Sequence, residues 1–86
     1  MAVDIARLRP VYVMGEVRAP GSYEYHPNLT VLNAAALAGG FTYRANRKKV
    51  DITREDANNV QTVHENVLVS APVRPGDVII VQERFF

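Results

Sequence analysis

The chain contains no cysteine. That excludes a disulfide framework, a thiolate nucleophile and a thiolate metal site, and it leaves both oxidising and reducing compartments open. No charge of one sign dominates: ten basic side chains face nine acidic ones, so no global field draws the chain to nucleic acid or anionic lipid. The longest mostly apolar stretch, Leu29 to Phe41, is interrupted by Thr30 and Asn33. It falls well short of the roughly 20 residues that cross a bilayer. The opening Met-Ala-Val-Asp-Ile-Ala has neither the basic nor the long apolar region of a signal peptide, so a secreted parent carries its signal outside this segment.

What is present describes one small folded domain. Nearly half of the 86 residues are apolar and 22% are charged, the balance of a globular chain and not of a disordered tail. A chain of this length buries only roughly 60% of its unfolded surface and supports a single core.

Val11 to Val17 is rich in β-branched and aromatic residues and reads as a strand, with Gly15 inside it marking a bulge or a close backbone approach. Arg18-Ala19-Pro20-Gly21 has the form of a type II turn, with Pro20 fixing φ and Gly21 supplying a positive φ. Ser22 to Tyr25 then alternates, Tyr23 and Tyr25 on one face, as an antiparallel partner. Thr30 is placed to cap a helix, with Leu29 and Ala34 as its hydrophobic staple. Val31 to Ala38 has almost no polar face, which predicts a short helix heavily covered by a sheet, ended by Gly39 and Gly40.

Lys49 to Arg54 alternates again, and Glu55 to Asn59 forms a polar turn. Val60 to His64 and Val67 to Val69 fit either one bent strand or two. Arg74-Pro75-Gly76-Asp77 repeats the proline–glycine turn logic, and Val78 to Val81 reads as a central strand buried on both faces. A hairpin, a helix and then about three strands give an α+β fold: a β-grasp, with a small mixed sheet of about five strands on one short helix.

Three stretches together resemble the soluble-ligand-binding β-grasp domain (SLBB) of outer-membrane polysaccharide export proteins. They are Val13-Met14-Gly15-Glu16-Val17 with Pro20-Gly21-Ser22-Tyr23, Thr30-Val31-Leu32 with Ala38-Gly39-Gly40-Phe41-Thr42, and Arg74 to Val81. The ending Glu83-Arg84-Phe85-Phe86 is similar to the tail of such proteins. The resemblance covers 9–86 and leaves 1–8 as an N-terminal extension. It implies a periplasmic module of a larger envelope protein whose copies form a ring or conduit for capsular or exopolysaccharide. The chain then looks like a C-terminal fragment, lacking the lipid-attachment signal and the preceding export domain of full-length members. Related domains occur in cobalamin-binding proteins and in a respiratory-complex subunit, so the fold alone does not fix a ligand.

Catalytic motifs are absent from the pattern. His26 and His64 stand apart with no metal-binding or nucleophile spacing around them, and Glu55 and Asp56 belong to a turn where solvated acids are the rule. Gly39-Gly40 lies at a helix end, where the partial charge is wrong for a phosphate. Asn28-Leu29-Thr30 matches a glycosylation acceptor, but its threonine is already explained as a cap. No cofactor is expected, and nucleic acid is not an expected partner.

Two groups allow a binding role. Tyr43, Arg44, Arg47, Lys48 and Lys49 form a basic cluster after the helix, either a solvated loop or a contact for an acidic sugar polymer or a neighbouring subunit's carboxylates. Tyr23 and Tyr25 are either core residues or exposed rings that stack on sugars. The expected function is a non-catalytic assembly module packing against neighbouring copies of the same export protein. The alternative is a domain recognising a soluble glycan or small molecule.

Overall fold

A computed structural model describes residues 9–84. The N-terminal extension 1–8 and the tail residues Phe85 and Phe86 lie outside the described residues. In chain order the elements are β1 (Val11–Gly15), β2 (Gly21–Tyr23), α1 (Val31–Leu37), β3 (Lys49–Glu55), β4 (Gln61–Leu68) and β5 (Val78–Val81). The strands form one five-stranded mixed sheet ordered β2-β1-β5-β3-β4. β5 is parallel to β1 and antiparallel to β3, so the β-branched run at the chain's end is the central strand. This is the α+β, β-grasp arrangement of one helix against a small mixed sheet.

Alternation decides what each strand buries. Val11 and Val13 of β1, Val50 and Ile52 of β3, and Ile79 and Val81 of β5 are buried. They form one core with Val31, Ala34, Ala35 and Ala38 from the helical segment. Small alanines on the inner helix face let the backbone sit close to the branched side chains of the sheet.

Both helix ends have their backbone groups satisfied, which matters for seven residues that cannot hold a helix alone. At the start, Val31 and Leu32 donate N–H to the carbonyls of Ala71 and Val69, at 3.0 and 2.9 Å. Asn33 N–H reaches the Thr30 hydroxyl at 3.2 Å. At the other end Gly40 N–H bonds Ala35 O and Gly39 N–H bonds Ala36 O, with φ of 94° and 85°. That double closure is a Schellman motif.

The helix is less covered than its composition predicts. Leu32 and Leu37 remain 50% and 45% exposed, because the sheet touches only the Val31, Ala34 and Ala35 side. β5 differs from expectation in the same way: Ile79 and Val81 are buried, but Val78 and Ile80 are only half-buried. The helix covers one face of the sheet, and the opposite face carries Tyr12 and Met14 beside Val78 and Ile80 in register.

The two proline–glycine segments resolve differently. At Arg74-Pro75-Gly76-Asp77 the Asp77 N–H bonds Arg74 O at 3.1 Å and Gly76 has φ 86°, a type II turn. Gly21, expected at the same corner, instead sits in β2 opposite Val13 and has no positive φ. The reversal is made by the whole 16–20 connection, which is pinned to the helix end: Arg18 N–H bonds Gly40 O and Ala19 N–H bonds Ala38 O. Pro20 leads into β2 as an exposed residue. With these bonds holding the crossing, no tight turn is needed.

Gly15 has a close approach. It has φ 87°, and a Cβ there would lie 2.2 Å from the carbonyl oxygen of Val81. Only glycine allows β1 to run this close to the end of β5. The stretch 60–69 holds one bent strand, β4 (Gln61–Leu68), not two. Val50 pairs with Val67 and Ile52 with His64, so an extra residue is accommodated opposite Asp51. Asn66, at φ 56°, absorbs the bulge and donates its N–H to Asp51 Oδ1 at 3.2 Å.

Candidate functional site

The basic loop after the helix is held by its backbone. Thr42 N–H bonds Glu16 O, Ala45 N–H bonds Thr42 O, Asn46 N–H bonds Gln82 O and Arg84 N–H bonds Arg44 O, all within 3.1 Å. Ala45 is buried and forms an isolated bridge with Glu83. The Asn46 carboxamide accepts from Lys48 and Lys49 N–H at 2.9 and 3.2 Å. The loop is thus zipped onto the chain beyond β5, while its long side chains project into solvent.

Tyr43, Arg44, Arg47 and Lys48 come together there. Tyr43 is 69% exposed. The Arg44 guanidinium lies over its ring, 5.5 Å from the centroid, and Arg44 Nε donates to the phenol oxygen at 3.1 Å. A depression of about 580 Å³ is lined by Tyr43, Ala45, Asn46, Arg47, Lys48 and Arg84. A smaller one beside it, about 300 Å³, is lined by Tyr43, Arg44, Glu83 and Arg84.

Arg84 was not singled out by the sequence, which reads it as part of a tail. Its place beside Tyr43 depends on the bridge between residues 45 and 83, and neither segment has an alternation that announces pairing.

Tyr23 and Tyr25 lie elsewhere. Both are half-buried and pack against the core, and the Tyr23 hydroxyl donates to Ala19 O. Tyr12, read from the sequence only as a strand residue, is more exposed than either, on the open sheet face.

A second polar constellation is structural. Asp77 is the one buried charged residue among the described residues, 1% exposed. Its carboxylate accepts from Arg54 Nε at 3.0 Å and Nη2 at 2.7 Å, and from the Arg74 N–H at 2.8 Å. This bidentate fork ties the Pro75-Gly76 turn to β3. The hydrogen bond to Asp77 raises the Arg54 pKa above its ordinary value, against desolvation, with the Asp77 charge adding to the rise. A raised arginine pKa contributes stability that is complete below arginine's ordinary pKa and is lost only as pH climbs through the still higher folded value. From the arginine side, then, the pair is insensitive to pH over the physiological range. The sequence places Asp77 in a turn but gives no sign of Arg54, 23 residues away.

His26 and His64 are both exposed and far apart in the fold, and no group of three or more metal-binding side chains occurs among the described residues. No helix among the described residues is long and apolar enough to cross a membrane.

The described residues form a five-stranded β-grasp with a backbone-fixed cationic loop and an open sheet face. The chain matches the SLBB domain family over residues 10–63, more than half of its length, and belongs to that family. It is 59% identical over 39 residues to the exopolysaccharide production protein ExoF of Rhizobium meliloti (strain 1021). That match covers 45% of this chain and 9% of the relative, so the chain spans a small part of the relative's length.

Proposed function

We propose that this domain is a non-catalytic binding and assembly module of a periplasmic or outer-membrane exopolysaccharide export protein, packing against neighbouring copies around the polymer's path and contacting the glycan. The observation that carries the assembly role is the far side of the sheet. β4 is an eight-residue edge strand with Val63 and Leu68 more than half exposed, and the neighbouring open face carries Tyr12 and Met14. A long edge with unpaired backbone groups is a template for strand addition. Lysine and proline, common guards of such edges, do not occur between Gln61 and Leu68.

Family membership and the relatedness to an exopolysaccharide production protein support the export setting. The depressions along the surface are shallow and open-sided, which suits contact with a neighbour or a polymer better than burial of a small ligand.

The test is an amide NMR spectrum of the 86-residue chain over a dilution series, then with fragments of the source bacterium's polysaccharide. Concentration-dependent shifts along β4 and the open face are expected. Spectra unchanged by both dilution and glycan would overturn the proposal.

A further inference from the structure

We propose that the Tyr43–Lys48 loop, with Arg84, is a site for carboxylate-bearing sugar residues of a polysaccharide; this rests on the glycan contact proposed above and names its place and chemistry. The first argument is charge pairing. Arg54 and Arg9 each have a carboxylate partner, at 2.7 and 4.0 Å. Among the described residues, no carboxylate pairs with Arg44, Arg47 or Lys48, although they crowd into five residues of chain. Glu83, which lines the smaller depression with Arg44, is one carboxylate against these three cations; like charges gathered in excess cost free energy, and an arriving anion relieves that cost.

The second argument is that the backbone is already ordered. Hydrogen bonds to Gln82 O and Arg44 O, and the Asn46 carboxamide on Lys48 and Lys49 N–H, fix the loop before any ligand arrives. The entropy lost on binding is then confined mainly to side chains.

The third is the ring. Tyr43 offers an apolar surface with a polar tip among cations, on an open-sided depression of about 580 Å³ that a sugar unit of a polymer can lie across. Sugars present both C–H faces and hydroxyls. Their carboxylates match a guanidinium fork. A protein partner fits less well, since interface cores are more apolar than this: among the described residues, the apolar side chains lining the depression are Tyr43 and the buried Ala45.

The experiment titrates the 86-residue chain with galacturonic acid oligomers, with neutral glucose oligomers of equal length and with polyglutamate of equal charge, reading amide shifts and affinity. Galacturonate is expected to bind most tightly and to move the amides of residues 43–48 and Arg84, with affinity falling as salt rises. Replacing the three exposed cations together, Arg44→Ser, Arg47→Ser and Lys48→Ser, should weaken binding about tenfold or more while the remaining spectrum is unchanged. Tyr43→Ala should weaken galacturonate binding and leave polyglutamate unaffected.

Galacturonate binding that maps to another surface, or survives the triple substitution, overturns the site but leaves the wider glycan reading standing. Equal binding of polyglutamate overturns sugar recognition in favour of simple polyanion attraction. Shifts in this loop on dilution, without glycan, assign it to a neighbouring subunit's carboxylates. No response to any glycan defeats both the site and the glycan contact.

Discussion

The β1–β5 pair and the outer part of the β3–β4 hairpin are built from similar residues and live under opposite constraints. Val11, Val13 and Val81 are at most 1% exposed, whereas Val60 and Val63 are 55% and 58% exposed. The difference is what lies opposite each strand. β1 and β5 have the helix across one face and a strand on either side, while β4, which carries Val63, is the sheet's edge, and past Thr53, the last β5 partner, β3 has strand pairing only with β4. One region stores the stability of the domain. The other presents strand edge and side chains outward.

The sharpest way to break this comparison is Gly15→Ala. The new methyl meets a backbone oxygen that cannot move without separating β1 from β5, and it does so at a positive φ. A loss of about 4 kcal/mol is expected, enough to unfold most of a domain this small, measured by urea denaturation. Gly76→Ala sharpens the point. It meets only the guanidinium end of Arg9, which can swing away, so the loss falls to about 1–2 kcal/mol from backbone strain.

Asp77→Ala should cost about 3 kcal/mol in the same assay, because Arg54 and the Arg74 N–H lose a buried carboxylate partner in a part-buried setting. The loss should be nearly constant between pH 6 and pH 9 if Arg54 stays charged throughout. Thr30→Ala removes one cap bond, and about 1 kcal/mol is expected. Val63→Thr, in the exposed hairpin, should change stability by less than about 0.5 kcal/mol. If Val63→Thr instead costs as much as Thr30→Ala, the outer hairpin contributes to stability and the contrast fails.

Much of the architecture was legible because it is written in local rules. Alternation marks Val50 and Ile52 as inward residues, the Thr30 hydroxyl and the Gly39-Gly40 pair bound the helix, and an uninterrupted β-branched run gives the central strand. Family motifs led to the SLBB assignment. Where local rules misled, a distant partner had replaced them: the helix C-terminus supplies bonds that make a tight turn at Gly21 unnecessary, and a single layer of helix leaves Val78 and Ile80 half-covered.

The candidate binding loop shows the same division. Its cations are adjacent in the chain, so their clustering could be read directly, and so could the presence of Tyr43 among them. Whether two of the other tyrosines were core or surface could not be read, since Tyr23 and Tyr25 fit both until their packing against the core is known.

By itself the sequence determined the element order, the core faces, the caps and the cationic character of one loop, because each depends on residues within a turn or two of one another. Only the tertiary structure decided which groups meet across long separations. Arg54 reaches Asp77, Gly15 meets Val81 and Arg84 comes beside Tyr43. Those meetings are set by strand order and register, and sheet pairing joins residues according to the path of the whole chain, not according to their neighbours in sequence.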